Sequence, residues 1–233
     1  MGQVYAVGVG PGDPELLTRK AERVIREAAV IFAPSAGGDD ASYALSIIEP
    51  FLDRERQEII VHTFPMTRDQ ATLNPLRLKA AEELAARAAA GQDVAFITIG
   101  DPLLYSTFQP IFRILGEEFP DIPVQFVPGI SSISAAASAA SLPLALADEC
   151  VAILPATTDE EKILQTLTQF DTVVLLKVSR AFDRIYDMLM QLGLDKNAVF
   201  VRRVGSADEE VVSDLASLVG KKLDYLSLLI VKK

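Results

Sequence analysis

Short apolar runs alternate with amphipathic patterns along the first half of the chain. Runs of apolar and β-branched residues predict four strands, at Val4–Val9, Val30–Ala33, Glu58–Val61 and Val94–Ile99, the last of them buried. Apolar positions repeating every three or four residues predict the helices that follow these strands, at Pro14–Ala28, Ser42–Leu52, Leu76–Ala90 and Leu104–Phe119. Strands that alternate with helices, joined by right-handed crossovers, predict a parallel sheet covered by helices on both faces.

The order of elements changes near Glu117–Pro123, an acidic segment that contains two prolines and is typical of a hinge. Beyond it, further strands are predicted at Val124–Val127, Cys150–Leu154, Thr172–Lys177, Ala198–Arg202, Glu210–Ser213 and Ser227–Lys232. Helices are predicted among them at Ile130–Ala140, Glu160–Gln169 and Phe182–Leu192. We therefore expect an α/β protein of two domains, 1–120 and 121–233, with some of the later strands antiparallel.

The composition limits the kinds of ligand and the cell compartment that we expect for this chain. The 233 residues include 22 Lys+Arg and 32 Asp+Glu, a net charge of -10, which argues against nucleic acid as the main ligand. A single cysteine, Cys150, cannot form an internal disulfide, so we expect a cytoplasmic protein. No apolar run reaches the roughly 18 residues of a membrane span, and the single histidine lies far from Cys150, so neither a membrane nor a metal is expected.

Three loops follow strand ends, the edge at which open α/β sheets bind ligands. They read GVGPGDP from Gly8, IGDPLLYST from Ile99 and VPGISSISAAAS from Val127. Each loop also has a purely structural interpretation. The first can be a tight turn that needs glycine, the second a helix N-cap formed by Asp101 with Pro102 after it, and the third a site of close helix packing. A nicotinamide site is disfavoured because Pro11 breaks the GxGxxG spacing and the second strand does not end in the carboxylate that would bind the ribose.

Taken together, GVGPGDPELLT, GDPLLYST and PGISSISAAASAASLPLA resemble the tetrapyrrole (corrin/porphyrin) methyltransferases in order and spacing. The resemblance covers essentially the whole chain, and TVVLLKVSR, VRRVGS and YLSLLIV extend it toward the C-terminus. The segments SYALSIIEPFL, FPMTRD and LLKVSR are most similar to the subgroup that methylates C-20 of precorrin-2 or cobalt-factor II.

The resemblance implies that S-adenosyl-L-methionine binds folded in a cleft between two domains and gives its methyl group to the C-20 meso carbon. Carried over residue by residue, it places the donor against Pro11, Ile99, Gly100, Asp101, Leu104, Ser131, Ser132, Lys177, Gly205 and Leu226, with Tyr225 nearby. Relatives are homodimers, so a homodimer is expected here too. In-line methyl transfer depends mainly on the alignment of two reactants and requires no protein-bound metal.

The meso carbon must lose a proton after it is methylated, and Asp101, Tyr105 and His62 are candidates to accept it, the first two preferred as catalytic residues. For His62 the competing expectation is a partly exposed loop histidine. The substrate's carboxylates require cations, and Arg19, Arg180 and Arg202 are the predicted partners, with Arg68, Lys177 and Arg203 as further candidates. Arg202 and Arg203 are adjacent in a strand, so at most one of them should face the ligand.

Three alternatives stay open. A sibling enzyme of the family would methylate another ring carbon, a protein diphthamide or a ribosomal RNA ribose, the last of which calls for a more basic chain. A nicotinamide oxidoreductase is a rival of another class, and a ligand-binding protein without catalysis is a third.

Overall fold

The computed structural model describes residues 1–37 and 42–233, which separate into two compact units, Met1–Ser131 and Ser132–Lys233. The sequence-based boundary at 120/121 lies earlier than this division. The difference arises from the strand β5 (Val124–Val127), which pairs in register with β1 (Val4–Gly8) and so completes the sheet of the first unit. The acidic segment before β5 is therefore a connection within the first unit.

The first unit is built on a five-stranded sheet in which every pairing is parallel, in the order β3-β2-β4-β1-β5. Its remaining strands are β2 (Val30–Ser35), β3 (Glu58–Thr63) and β4 (Val94–Thr98). Its helices are α1 (Arg19–Glu27), α2 (Tyr43–Ile48), α3 (Gln70–Ala89) and α4 (Phe108–Glu118). All five residues of β4 are buried, as expected for a central parallel strand covered on both faces. The predicted α/β fold of this half is confirmed.

Aromatic side chains fill one face of this sheet. The ring of Phe96 on β4 lies 5.4 Å from that of Phe32 on β2 and 5.0 Å from that of Phe108 at the start of α4. All three side chains are fully buried. Burying a side chain of this size contributes about 1.5–3 kcal/mol, so this cluster fixes α4 against β4 and anchors the loop that joins them.

The predicted start of α4 at Leu104 is wrong, because the helix begins at Phe108. Asp101 does cap a neighbouring amide, since its Oδ1 accepts a hydrogen bond from the Leu103 N–H at 2.8 Å, but this closes a turn and not a helix. Tyr105 then adopts φ 53°, in the left-handed region that interrupts a right-handed helix. Residues 101–107 are consequently a structured loop.

The second unit carries a mixed five-stranded sheet in the order β6-β7-β10-β8-β9. Its strands are β6 (Val151–Pro155), β7 (Thr172–Leu176), β8 (Ala198–Arg202), β9 (Glu210–Val212) and β10 (Ser227–Lys232). Its helices are α5 (Ser132–Ala139), α6 (Glu160–Gln169) and α7 (Phe182–Leu192). β6 and β7 are parallel, while β10 runs antiparallel to both β7 and β8, which confirms the prediction of antiparallel strands late in the chain.

Candidate functional site

The three motif loops of the first unit come together because β4, β1 and β5 are neighbours in the sheet. The first loop comprises residues 9–13 after β1, the second residues 99–107 after β4, and the third residues 128–131 after β5. Parallel strands present their carboxyl ends at one edge, so all three loops leave the sheet side by side. Segments about ninety and thirty residues apart in sequence thus form one surface.

Backbone hydrogen bonds join the first loop to the second. The Val9 N–H donates to the Thr98 carbonyl at 2.9 Å, and the Gly100 N–H donates to the Gly10 carbonyl at 2.7 Å. Gly10 and Gly100 form an isolated antiparallel bridge and have φ values of 76° and 70°. Both positions therefore require the left-handed backbone that glycine adopts without a steric penalty.

Close backbone packing joins the third loop to the other two. A Cβ added to Gly129 would lie 2.1 Å from the Gly100 carbonyl oxygen and 2.7 Å from the carbonyl carbon of Gly8. A Cβ added to Gly8 would lie 2.5 Å from the same Gly100 oxygen. The three main chains are in direct contact at these glycines, which leaves no room for even a methyl group.

The Asp101 carboxylate bridges the second and third loops. Its Oδ2 accepts a hydrogen bond from the Gly129 N–H at 3.0 Å, while Oδ1 accepts from the Leu103 N–H. Both oxygens are occupied by backbone donors, so the carboxylate positions the two loops. The catalytic role predicted for Asp101 stays a prediction.

The remaining residues predicted on these loops differ in exposure. Pro11 and Gly100 are buried, whereas Ile99, Leu104 and Ser131 are half-buried, as is Ser132 at the start of α5. Tyr105 is 46% exposed on the second loop, next to the half-buried Leu104. Its left-handed backbone costs on the order of 1–3 kcal/mol, a strain that is typical of functional loops.

Three predicted donor contacts of the second unit lie at one edge of its sheet. The antiparallel register pairs Leu228 of β10 with Leu176 of β7, so Lys177 leaves β7 beside the start of β10. Gly205 follows the end of β8, which pairs with the same end of β10, and Leu226 directly precedes β10. Lys177, directly after β7, is exposed and has φ 58°, so its backbone is strained as that of Tyr105 is.

A closed hydrogen-bonded ring holds Leu226 in place. Its carbonyl accepts from the Arg203 N–H at 2.8 Å, and its own N–H donates to Oδ1 of Asp224 at 2.8 Å. Oδ2 of Asp224 in turn accepts from Nε of Arg203 at 2.6 Å. We call this the Arg203–Asp224–Leu226 ring. Sequence reasoning missed Asp224, whose only signal is an acidic residue three positions before the strand that begins at Ser227.

The predicted substrate cations fall into two groups. Nε of Arg202 donates to Glu210 on the neighbouring strand β9, so its charge is already paired. Arg19 and Arg180 are exposed, and neither forms an ion pair with any residue in 1–37 or 42–233. Arg202 and Arg203 have different partners, Glu210 and Asp224. Because β8 ends at Arg202 and Arg203 has φ 45°, the alternation expected of two adjacent strand residues does not apply to this pair.

Tyr225 lies at the same edge of the second sheet as Arg180. Partial burial raises the pKa of the Tyr225 phenol, and the nearby positive charge of Arg180 acts in the opposite direction. A phenol that keeps its proton can donate a hydrogen bond, so this edge offers both a cation and a neutral donor to an anionic ligand.

His62 is not the loop histidine that was expected. It lies within β3, is 9% exposed, and its ring sits 5.6 Å from Phe32 and 4.9 Å from Phe64. In the sheet order, β2 separates β3 from β4, the nearest strand that carries one of the three loops, and the His62 ring packs against Phe32 and Phe64. A role for His62 as proton acceptor stays a prediction. Burial lowers its pKa, partly offset by the negative charge of Glu83.

We expect His62→Phe to flatten the acid dependence of stability. A histidine in an unfolded chain has a pKa of about 6.5. As the pH falls, the unfolded chain therefore binds a proton before buried His62 does. The stabilisation from neutral His62 is complete above that pH and is lost as the pH falls through the lower folded-state pKa. Urea unfolding at about pH 8 and about pH 5 should show a smaller loss for His62→Phe than for wild type. An equal loss in both proteins would contradict this account.

The part of the chain that the structure describes contains no group of three or more His, Cys, Asp or Glu side chains able to hold a metal ion. None of its described helices is both long enough and apolar enough to cross a membrane.

Residues 3–219 of the chain match the model of the family described as tetrapyrrole (corrin/porphyrin) methylases. The chain is 34% identical to cobalt-precorrin-2 C(20)-methyltransferase of Salmonella typhimurium, covering 100% of this chain and 97% of that one. It is 36% identical to a probable enzyme of the same name from Methanocaldococcus jannaschii, with 99% and 96% covered.

Solved structures share the fold. A cobalt precorrin-4 methyltransferase superimposes with a TM-score of 0.76 at 21% identity, over 99% of this chain and 94% of that one. The uroporphyrin-III C-methyl transferase of Thermus thermophilus, complexed with S-adenyl homocysteine, gives 0.71 at 24% identity over 100% and 98%. These similarities confirm the predicted fold class.

Proposed function

The chain belongs to the tetrapyrrole (corrin/porphyrin) methylase family, as its motifs predicted, and we propose that it methylates the C-20 meso carbon of precorrin-2 or cobalt-factor II in cobalamin biosynthesis. The observation that carries the proposal is full-length similarity, at 34% and 36% identity, to two proteins named as cobalt-precorrin-2 C(20)-methyltransferases. That similarity favours C-20 over the other ring carbons methylated within the family.

The methyl donor in this proposal is S-adenosyl-L-methionine, which supplies a methyl group on a positively charged sulfur. The second and third loops are the proposed contacts for its zwitterionic methionine part, through main-chain groups around Asp101 and the hydroxyl groups of Ser131 and Ser132. Gly100 contributes by letting the loops approach closely, since its N–H is bonded to the Gly10 carbonyl. Ile99 and Leu104 add half-buried apolar surface. In the second unit, Lys177, Gly205 and Leu226 are the proposed contacts for the rest of the donor.

Catalysis in this proposal depends on alignment. A new carbon–carbon bond forms at C-20 while the sulfur keeps the electron pair of the broken bond, so no nucleophilic side chain is needed. Asp101 contributes by fixing the second loop against the third through the Gly129 amide. Tyr105, 46% exposed on the second loop, is the proposed relay: its phenol oxygen accepts the C-20 proton while its own O–H proton passes to water.

Recognition of the substrate's carboxylates is assigned to Arg19 and Arg180. Both are exposed and neither has an ion-pair partner within the described ranges, so their charges are available to a polyanionic ligand. Arg202 is not assigned to the substrate's carboxylates, because its charge is already paired with that of Glu210. The net charge of -10 therefore plays no part in attracting the substrate, and recognition depends on a few local cations.

We further propose a cytoplasmic homodimer that uses no protein-bound metal in methyl transfer. The homodimer follows from the family resemblance, the compartment from the single cysteine, and the lack of a metal requirement from the chemistry of a sulfonium donor.

Incubation of the full chain with precorrin-2 and S-adenosyl-L-methionine tests the reaction class. We expect a tetrapyrrole carrying one additional methyl group and an equal amount of S-adenosylhomocysteine, with no consumption of NADH when it is supplied. Oxidation of NADH without methyl transfer would favour the nicotinamide oxidoreductase, and donor binding without any product would favour a non-catalytic binding protein.

A further inference from the structure

We infer that Asp224 is a positioning residue for the methyl donor, acting through Arg203 on the loop segments that carry Gly205 and Leu226. This inference rests on the proposed function, which places Gly205 and Leu226 against the donor. Neither Asp224 nor its salt bridge with Arg203 belongs to the set of contacts proposed above. The role arises from the geometry of the Arg203–Asp224–Leu226 ring.

The ring fixes both backbone polar groups of Leu226. The N–H is held by Oδ1 of Asp224 and the carbonyl by the N–H of Arg203, so the only part of Leu226 left to vary is its side chain. The hydroxyl of Ser227 also donates to the carbonyl of Asp224, at 2.7 Å. A backbone tied at every one of these points holds the base of the Leu226 side chain in one place, and such preorganisation lowers the entropy cost of binding a rigid ligand ring.

The same ring sets the turn that leads to Gly205. Arg203 has φ 45°, a left-handed backbone that an arginine keeps only when its surroundings hold it there. Its carbonyl accepts from both the N–H and the hydroxyl of Ser206, at 3.0 Å and 2.8 Å. The salt bridge to Asp224 therefore connects the turn 203–206 to the segment 224–227, and loss of either charged partner should loosen both.

A second salt bridge, at the other end of β10, provides a matched control. Nζ of Lys232 lies 2.6 Å from Glu149, with side chains 14% and 30% exposed, at the far end of β10. The Arg203–Asp224 pair has the same separation, with side chains 35% and 19% exposed. Breaking either pair should lower stability comparably, but only the Arg203–Asp224 pair lies at the proposed donor edge.

The test compares Asp224→Asn and Glu149→Gln in the full chain. Calorimetry with S-adenosylhomocysteine should show about tenfold or greater loss of affinity for Asp224→Asn, because a charge-assisted hydrogen bond is lost, and less than about twofold for Glu149→Gln. In steady-state assays the KM for the donor should rise in Asp224→Asn while the KM for the tetrapyrrole stays unchanged. Asp224→Glu, which keeps the carboxylate, should recover part of the affinity.

Each outcome decides the inference. If wild type does not bind S-adenosylhomocysteine, the proposed function itself fails. If wild type binds it and Asp224→Asn binds within twofold of wild type, the inference is overturned while the proposed function stands. If Asp224→Asn does not fold, Arg203→Gln answers the same question from the other side of the salt bridge. A rise in the KM for the tetrapyrrole alone in Arg203→Gln would instead mean that Arg203 contacts the substrate directly.

Discussion

Gly129→Ala should destabilise the protein by about 3 kcal/mol or more and abolish measurable binding of S-adenosylhomocysteine, because the new methyl group overpacks a site bounded by backbone. The added Cβ would lie 2.1 Å from the Gly100 oxygen, and no change of rotamer can relieve a clash between main chains. Gly129 does not have a left-handed φ, so steric contact alone causes the effect. The three loops must separate to admit the methyl group, and the donor surface is lost with them.

Gly116→Ala is the control for this prediction. Gly116 lies in α4, and a Cβ there would meet nothing within 4 Å. Alanine in a helix interior is favoured over glycine by about 0.5–1 kcal/mol, so this variant should be slightly more stable than wild type and should bind normally. Urea unfolding gives the free energies and calorimetry gives the affinities. Equal stability of the two alanine variants would refute the close packing of the three loops.

Asp101→Asn should weaken binding of S-adenosylhomocysteine by more than about tenfold and lower the free energy of unfolding by about 1.5–3 kcal/mol, the usual value of a hydrogen bond to a charged group. Asparagine keeps one acceptor oxygen, but its NH₂ group cannot accept a hydrogen bond. Either Gly129 or Leu103 therefore loses the acceptor for its N–H, and the second loop is released from the third or loses its own turn.

Asp159→Asn is the matched control for Asp101→Asn. Asp159 is the N-cap of α6 and uses a single oxygen, Oδ1, to accept from the Glu161 and Lys162 amides. Asparagine caps helices as well as aspartate does, so we expect almost no change in stability or binding. The same comparison separates two roles of Asp101. Loss of a carboxylate that positions the loops lowers donor affinity, whereas loss of a proton acceptor would leave affinity intact and remove turnover.

Much of the fold follows from local patterns in the sequence. The run Val94–Ile99 predicts a buried strand because a central parallel strand must be apolar on both faces, and β4 is found there. The helices Glu160–Gln169 and Phe182–Leu192 begin and end where their apolar spacing predicts. These features depend on neighbours in sequence, which a pattern can report.

The details that sequence reasoning missed depend on contacts between distant segments. Nothing in GDPLLYST signals that Tyr105 adopts a left-handed backbone, which is why α4 begins later than predicted. The burial of His62 results from stacking against Phe32 on another strand. The role of Asp224 requires a partner, Arg203, that lies 21 positions earlier in the chain.

The site shows the same division between local and distant information. The glycines of the first and second loops could be assigned to tight turns, and Gly10 and Gly100 do have positive φ values. Gly129, by contrast, is required by its contact with Gly8 and Gly100, and that contact exists only once β4, β1 and β5 are adjacent. The family resemblance grouped these loops correctly without revealing what joins them.

The position of the transferred methyl group tests the central claim most directly. The full chain is incubated with S-adenosyl-L-methionine labelled with ¹³C in its methyl group, once with precorrin-2 and once with cobalt-factor II, and the product is examined by NMR. We predict that the label appears on the C-20 meso carbon of at least one of the two products and on no other carbon. Label on a different ring carbon, or no labelled tetrapyrrole from either substrate, would contradict the proposed function.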